Sequence, residues 1–240
     1  MPDNNITIIG PSIGPDYYQS TVFAPGELRV SVEPGKVFYN AFDAGLDTTN
    51  VWTATAGGGG VAPTNQAGQS NIGTGTTANG FSYLLSQPAF QPVPPGWLEY
   101  AFADNLPSPY VANTYFWIGP GNHATTPTAA APLTDGAGFE VAIGGKMYAV
   151  CWSGGARNQI ADLSSGTGSN KQPTDGNVHI YYIFYRGDNI WWAIDSRDNI
   201  VASIPSGALG PVVNTLPNLQ MAIAGTVAPL SSALLICNLA

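Results

Sequence analysis

Apolar residues in this chain come in short runs, and Gly, Pro or Asn closes nearly every run before it could complete a helix of ordinary length. Phe81 to Leu85, Trp97 to Phe102, Tyr115 to Ile118, Phe139 to Ile143 and Lys146 to Trp152 are each strand-length and rich in aromatic and branched side chains. Val178 to Arg186, Asn189 to Asp195 and Ile200 to Ile204 form a meander, with turns expected at Gly187-Asp188 and at Ser196 to Asn199. Leu219 to Ala224 and Leu234 to Leu239 add two more strands. Gly144-Gly145 reads as a two-residue hairpin turn with both positions at positive φ. An all-β sandwich of two antiparallel sheets follows, and 240 residues suffice for one such domain.

Gly-Pro punctuation dominates the first part of the chain, so residues 1 to about 35 are expected to form an extended N-terminal arm with one or two strands, notably Glu27 to Val32. Residues 36–240 are then a single sandwich domain. Within it, Gly57 to Asn79 has few large side chains and reads as a long exposed loop or a pair of small-residue edge strands.

Only 9% of residues are Asp, Glu, Lys or Arg, against about 25% in a typical soluble protein. A Thr, Ser, Asn, Gly and Ala surface is cheap to desolvate, which favours a homo-oligomer or a larger assembly. Net charge of −8 and seven scattered basic residues argue against nucleic acid. No basic, apolar leader opens the chain and no apolar stretch reaches membrane-spanning length, so synthesis in a cytoplasm and no membrane partner are expected. Cys151 and Cys237 each lie in an apolar run and are expected as buried free thiols.

Motifs that could carry chemistry have simpler explanations. Arg186-Gly187-Asp188 is what a tight hairpin needs, and Asn5-Ile6-Thr7 matters only in a secreted chain. Asp195, Asp198 and Asn199, and separately Asp43 and Asp47, can bond their own turns, so no metal and no cofactor is expected. Glu27, Glu33, Glu99 and Glu140 are isolated in sequence, whereas a glycosidase usually needs two carboxylates about 5–10 Å apart. His123 and His179 suggest no triad. These absences lead to the expectation of a chain that is not an enzyme.

The aromatics leave one candidate contact surface. Val178, Ile180, Tyr182 and Phe184 share one face of a strand and His179, Tyr181, Ile183 and Tyr185 the other, so both faces need a cover. Adjacent Trp191 and Trp192 must point to opposite sides, one of them outward. Trp191, Trp192, Tyr181 and Tyr185 are therefore the candidates for an interface or a glycan contact.

Three segments together resemble concanavalin A-like, laminin-G-like jelly-roll proteins of tailed bacteriophages. Phe38-Tyr39-Asn40-Ala41-Phe42-Asp43 continuing through Asp47-Thr48-Thr49-Asn50-Val51-Trp52 is similar to their opening. The Gly/Thr tract leading into Gly80-Phe81-Ser82-Tyr83-Leu84-Leu85 is similar to their continuation, and His179 to Ile204 resembles their paired strands. The resemblance implies a concanavalin A-like jelly roll and a virion structural protein, a capsid decoration or tail-associated subunit whose partners are other virion proteins, with residues 1 to about 35 as its docking arm. Its alternative is a lectin-like, carbohydrate-binding host-recognition module with a glycan as partner.

Overall fold

The computed structural model describes residues 20–24, 27–30, 45–66, 69–87, 97–106, 110–164, 176–186, 189–205, 218–228 and 234–239. The chain divides into two units, Met1–Tyr39 and Asn40–Ala240. In the first, β1 (Ser20–Ala24) and β2 (Glu27–Val30) pair antiparallel. The second unit contains β3 (Trp52–Gly57), β4 (Val61–Gln66), β5 (Gln69–Gly73), β6 (Phe81–Ser86), β7 (Trp97–Asn105), β8 (Thr114–Ile118), β9 (Gly121–Thr128), β10 (Ala131–Val141), β11 (Met147–Ser153) and β12 (Ala156–Asp162). The meander follows as β13 (Val178–Arg186), β14 (Asn189–Ile194) and β15 (Ile200–Pro205), and then come β16 (Asn218–Ala224) and β17 (Leu234–Leu239).

Two antiparallel sheets result. The eight-stranded sheet runs β12-β11-β10-β8-β16-β6-β3, with β9 on the first half of β10, and the seven-stranded sheet runs β15-β14-β13-β7-β17-β5-β4. Period-two alternation assigns every second side chain to the layer between them. Trp52, Phe116, Ile118, Phe139 and Val141 enter that layer from one sheet, and Phe102, Tyr181, Ile183, Ile190 and Trp192 from the other, all essentially fully buried. The Phe139 and Tyr181 rings meet edge to face across the layer at 5.1 Å between centroids. Trp192 Nε1 donates to Gly138 O of the opposite sheet at 3.0 Å. Each such side chain contributes roughly 1.5–3 kcal/mol of burial, so this layer fixes both the register and the facing of the sheets.

Several local expectations need correction. The turn between β10 and β11 is not a two-residue hairpin: Ala142 N donates to Lys146 O, Gly145 N donates to Ala142 O, and only Gly145 lies at positive φ (77°). That is a three-residue loop closed by a left-handed residue. The two-residue, double-positive-φ turn instead sits at Gly154 (57°) and Gly155 (78°), where Ser153 pairs with Ala156. Of the two forms expected for the small-residue tract Gly57 to Asn79, the strand pair is the one present, with β4 at a sheet edge and β5 beside it. Its Ser70 and Thr74 are fully buried. The polar strand β12 and the Pro-containing β9 carry no apolar alternation and are not legible from pattern alone. The Gly187-Asp188 turn, the Asn5-Ile6-Thr7 motif, Asp43 and the Cys237 side chain lie outside the described residues.

Candidate functional site

Of the four aromatic candidates, the structure turns three inward. Tyr181, Tyr185 and Trp192 lie in the buried layer between the sheets, so none can meet a partner or a glycan. Tyr181 and Tyr185 share the inner face because Phe139 and the rest of the opposing sheet cover it. Trp191 alone of the four is outward and partly exposed.

The stronger constellation lies on the outer face of the eight-stranded sheet. Strand register places Thr55, Tyr83, Met221, Trp117, Glu140 and Tyr148 in one row across β3, β6, β16, β8, β10 and β11. Tyr115, Val150 and Trp152 stand beside this row and complete an apolar cluster with Leu85, Leu133 and Ile223. Along β10 the same face presents Gly136, Gly138 and Glu140. Both positions lack room for a Cβ: one on Gly138 would lie 2.6 Å from Trp117 Cζ2, and one on Gly136 2.7 Å from Pro120 O. Trp117 thus lies flat along β10, held by its Nε1 donating to Gly119 O at 3.2 Å.

Next to this aromatic floor is a cleft of about 420 Å³, lined by Tyr115, Ala129, Ala130, Glu140, Ile143, Tyr148, Trp152, Arg157 and Gln159, among others. Glu140 is buried, at 2% exposure, and its carboxylate is held in a fork by Arg157 from β12. Arg157 Nε donates to Oε1 and Oε2 at 2.9 and 3.1 Å, and Nη2 donates to Oε1 at 2.6 Å. Tyr115 Oη donates to Oε2 at 3.3 Å. A buried carboxylate is tolerable only when paired in this way. The guanidinium also lies 5.1 Å over the Tyr148 ring.

The electrostatics follow from that packing. Burial opposes the charge on Arg157, but the hydrogen bonds and negative charge of Glu140 outweigh it and hold the guanidinium pKa above its ordinary value. Burial, reinforced by the Glu140 charge, raises the Tyr115 phenol well above its ordinary value, so it stays a neutral donor. Trp152 Nε1 is buried without a hydrogen-bond partner, leaving one donor in a cleft-lining residue unused. The cleft therefore offers aromatic surface, an ion pair fixed in orientation, and donors and acceptors on Tyr148, Arg157 and Gln159. Such a set suits a polyhydroxylated ligand.

Of the other acids, Asp47 bonds its own turn as expected, whereas the Asp195 carboxylate reaches β13 instead. Asp47 accepts from Asn50 Nδ2 at 3.1 Å and from the Asn50 and Thr49 backbone N–H groups at 3.0 and 2.9 Å, which lowers its pKa. Asp195 accepts from Ile180 N at 3.1 Å and lies 2.9 Å from His179 Nδ1. Asn199 Nδ2 donates to Ile194 O across the Ser196 to Asn199 turn, which forms where expected. Glu99, isolated in sequence, acquires Arg197 as its partner.

No protein-family model and no curated protein matches the sequence. Solved structures do match in shape. A β-1,3-glucanase from Mycobacterium marinum is 12% identical with a TM-score of 0.56, covering 86% of this chain and 98% of that one. The Bacillus licheniformis β-glucanase is 13% identical with the same score and coverage. An uncharacterised protein from Mycobacterium paratuberculosis is 12% identical with a TM-score of 0.58, covering 85% and 98%. The fold is thus the concanavalin A-like jelly-roll sandwich. The expectations of a bacteriophage virion subunit and of a chain that is not an enzyme are corrected: these structural neighbours are glucanases or of unknown activity, and none is a phage protein. The first expectation rests on the phage resemblance, the low charge and the arm-like N-terminus, and the second on glutamates isolated in sequence; in the fold Glu140 and Glu99 are paired with Arg157 and Arg197.

Proposed function

We propose that this protein is carbohydrate-active and takes a stretch of polysaccharide, a glucan in the first instance, into the cleft above Glu140. One observation carries the reading. Tyr115, Tyr148, Trp152 and Glu140 line a cleft of about 420 Å³ in which Arg157 is held in orientation by its ion pair with Glu140, with Gln159 beside it. Sugar rings present C–H faces to aromatic side chains and hydroxyls to fixed polar groups, and this cleft holds both. The glucanase neighbours support the choice of a glucan as first ligand. Affinity electrophoresis through gels containing laminarin, lichenan, soluble cellulose derivatives or starch tests it. Retardation in at least one β-glucan is expected, reduced about tenfold in affinity by Tyr148→Ala. Unretarded migration in all four gels contradicts the reading.

Glycosidic hydrolysis is the second reading, favoured by Glu140 itself, a carboxylate on the floor of the cleft. The usual mechanism needs a second acid about 5–10 Å away. Glu140 is the carboxylate of the cleft lining among the described residues. Release of reducing ends from the retained glucan, abolished by Glu140→Gln, is the result this reading requires.

A further inference from the structure

The two sheets carry the same constellation on opposite outer faces. On the eight-stranded sheet it is Glu140 forked by Arg157, with that guanidinium over Tyr148 and Trp152 nearby. On the seven-stranded sheet, Glu99 of β7 is forked by Arg197 from the β14–β15 turn, Nε to Oε1 and Oε2 at 2.9 and 3.0 Å and Nη2 to Oε1 at 2.7 Å. The Arg197 guanidinium lies 5.3 Å over the Tyr182 ring. Register puts Glu99, Phe184, Trp191 and Ser203 in one row across β7, β13, β14 and β15. Tyr182 and Phe184 stand with parallel rings, 5.9 Å between centroids, and Ala101 and Ala193 keep the surface beside them low. Phe184 and Trp191 are partly exposed, and Ser203 is exposed.

We infer that this outer face of the seven-stranded sheet is a second carbohydrate-binding surface, on which a neutral polysaccharide chain lies flat over Trp191 and Phe184 with its hydroxyls toward the Glu99–Arg197 pair. The inference rests on the reading of the cleft chemistry as sugar-binding. A second copy of the chain, docking beside this patch through exposed Ile180 and Ile200, is the competing occupant. The centre of the patch argues against it, because stable protein interfaces deplete charge at their core whereas an ion pair stands here beside the aromatics. The three bonds to Glu99 use Nε and Nη2 of Arg197, and a guanidinium has five donors, so hydroxyls can be met without breaking the pair.

Two sites on opposite faces engage a polymer with avidity but a short oligosaccharide one site at a time. The test compares retention of the full chain on insoluble β-1,3-glucan with calorimetric titration by a short β-1,3-gluco-oligosaccharide. Wild type, Trp191→Ala, Arg197→Ala and the cleft variant Tyr148→Ala/Gln159→Ala are measured, with circular dichroism to verify folding. Wild type is expected to titrate two sites per chain. Trp191→Ala and Arg197→Ala should each leave one, and should lose about tenfold in affinity for the polymer. Wild-type retention in both variants overturns the inference, as does a dimer in sedimentation that Trp191→Ala converts to monomer with glucan retention unchanged. Complete loss of binding in the cleft variant overturns the second surface while sustaining the cleft. Residual binding that Trp191→Ala then removes sustains the second surface, and failure of wild type to bind either glucan overturns both readings.

Discussion

Glu140 sits at 2% exposure on a sheet face, and its charge is affordable because Arg157 and Tyr115 supply four hydrogen bonds between them. Arg157→Ala would strand that carboxylate. Because the Arg157 side chain is 32% exposed and water can partly replace it, the expected cost is about 2 kcal/mol, read as a lower midpoint in urea unfolding. Replacing both partners, Glu140→Gln with Arg157→Leu, should recover most of that loss, which a double-mutant cycle measures directly. Cys151 gives a pH-dependent check. Burial pushes its thiol up to about 12, against about 9 for an ordinary thiol. Between those values the unfolded chain loses a proton that the folded chain keeps, so this group's contribution is whole below about pH 9 and is lost as pH rises toward 12. Cys151→Ala should flatten that part of the stability-against-pH curve, and native Cys151 should resist alkylation at pH 8.

At the scale of the element, the hairpins decide what the site contains. Gly145 holds φ of 77°, and a Cβ added there would come no closer than 3.6 Å to Tyr110 Cδ1, so Gly145→Ala is opposed by backbone conformation rather than by space. A loss of about 1 kcal/mol is expected. Gly144, with no neighbour within 4 Å and no positive φ, should accept Ala with little change, and comparing the two melting temperatures tests the turn assignment. Much of the site is within reach of such turn reasoning. Gly154-Gly155 as a two-residue turn puts Arg157 opposite Trp152, and the β10–β11 loop puts Tyr148 opposite Glu140. Pattern alone places the tight turn at the wrong glycine pair and leaves β12 out, so it never brings Arg157 near Glu140. The aromatic strands are legible because strong alternation and flanking Gly and Pro mark them. Strands β9 and β12 are not, because ladder partners rather than their own side chains hold them in place.

For the whole molecule, the consequence of the fold is that one buried layer supports two outer faces. Trp117 shows how closely the cleft face is fitted: Gly138→Ala would set a Cβ 2.6 Å from its ring and 2.5 Å from Ile118 O. A loss of about 1–3 kcal/mol with a change in tryptophan fluorescence is expected. Sequence patterning reaches the sandwich, and the resemblance of three segments reaches the concanavalin A-like jelly roll. It cannot reach the ion pairs, whose partners stand 17 residues apart in one case and 98 in the other. The central claim is that sugar enters the cleft over Glu140, and the indole N–H of Trp152, buried and unpartnered there, reports on it most directly. In a proton–nitrogen correlation spectrum titrated with a β-gluco-oligosaccharide, the account predicts that the Trp152 indole signal and the Tyr148 and Gln159 amides move together with one saturating dissociation constant. Saturable shifts elsewhere that leave these three signals in place would contradict it.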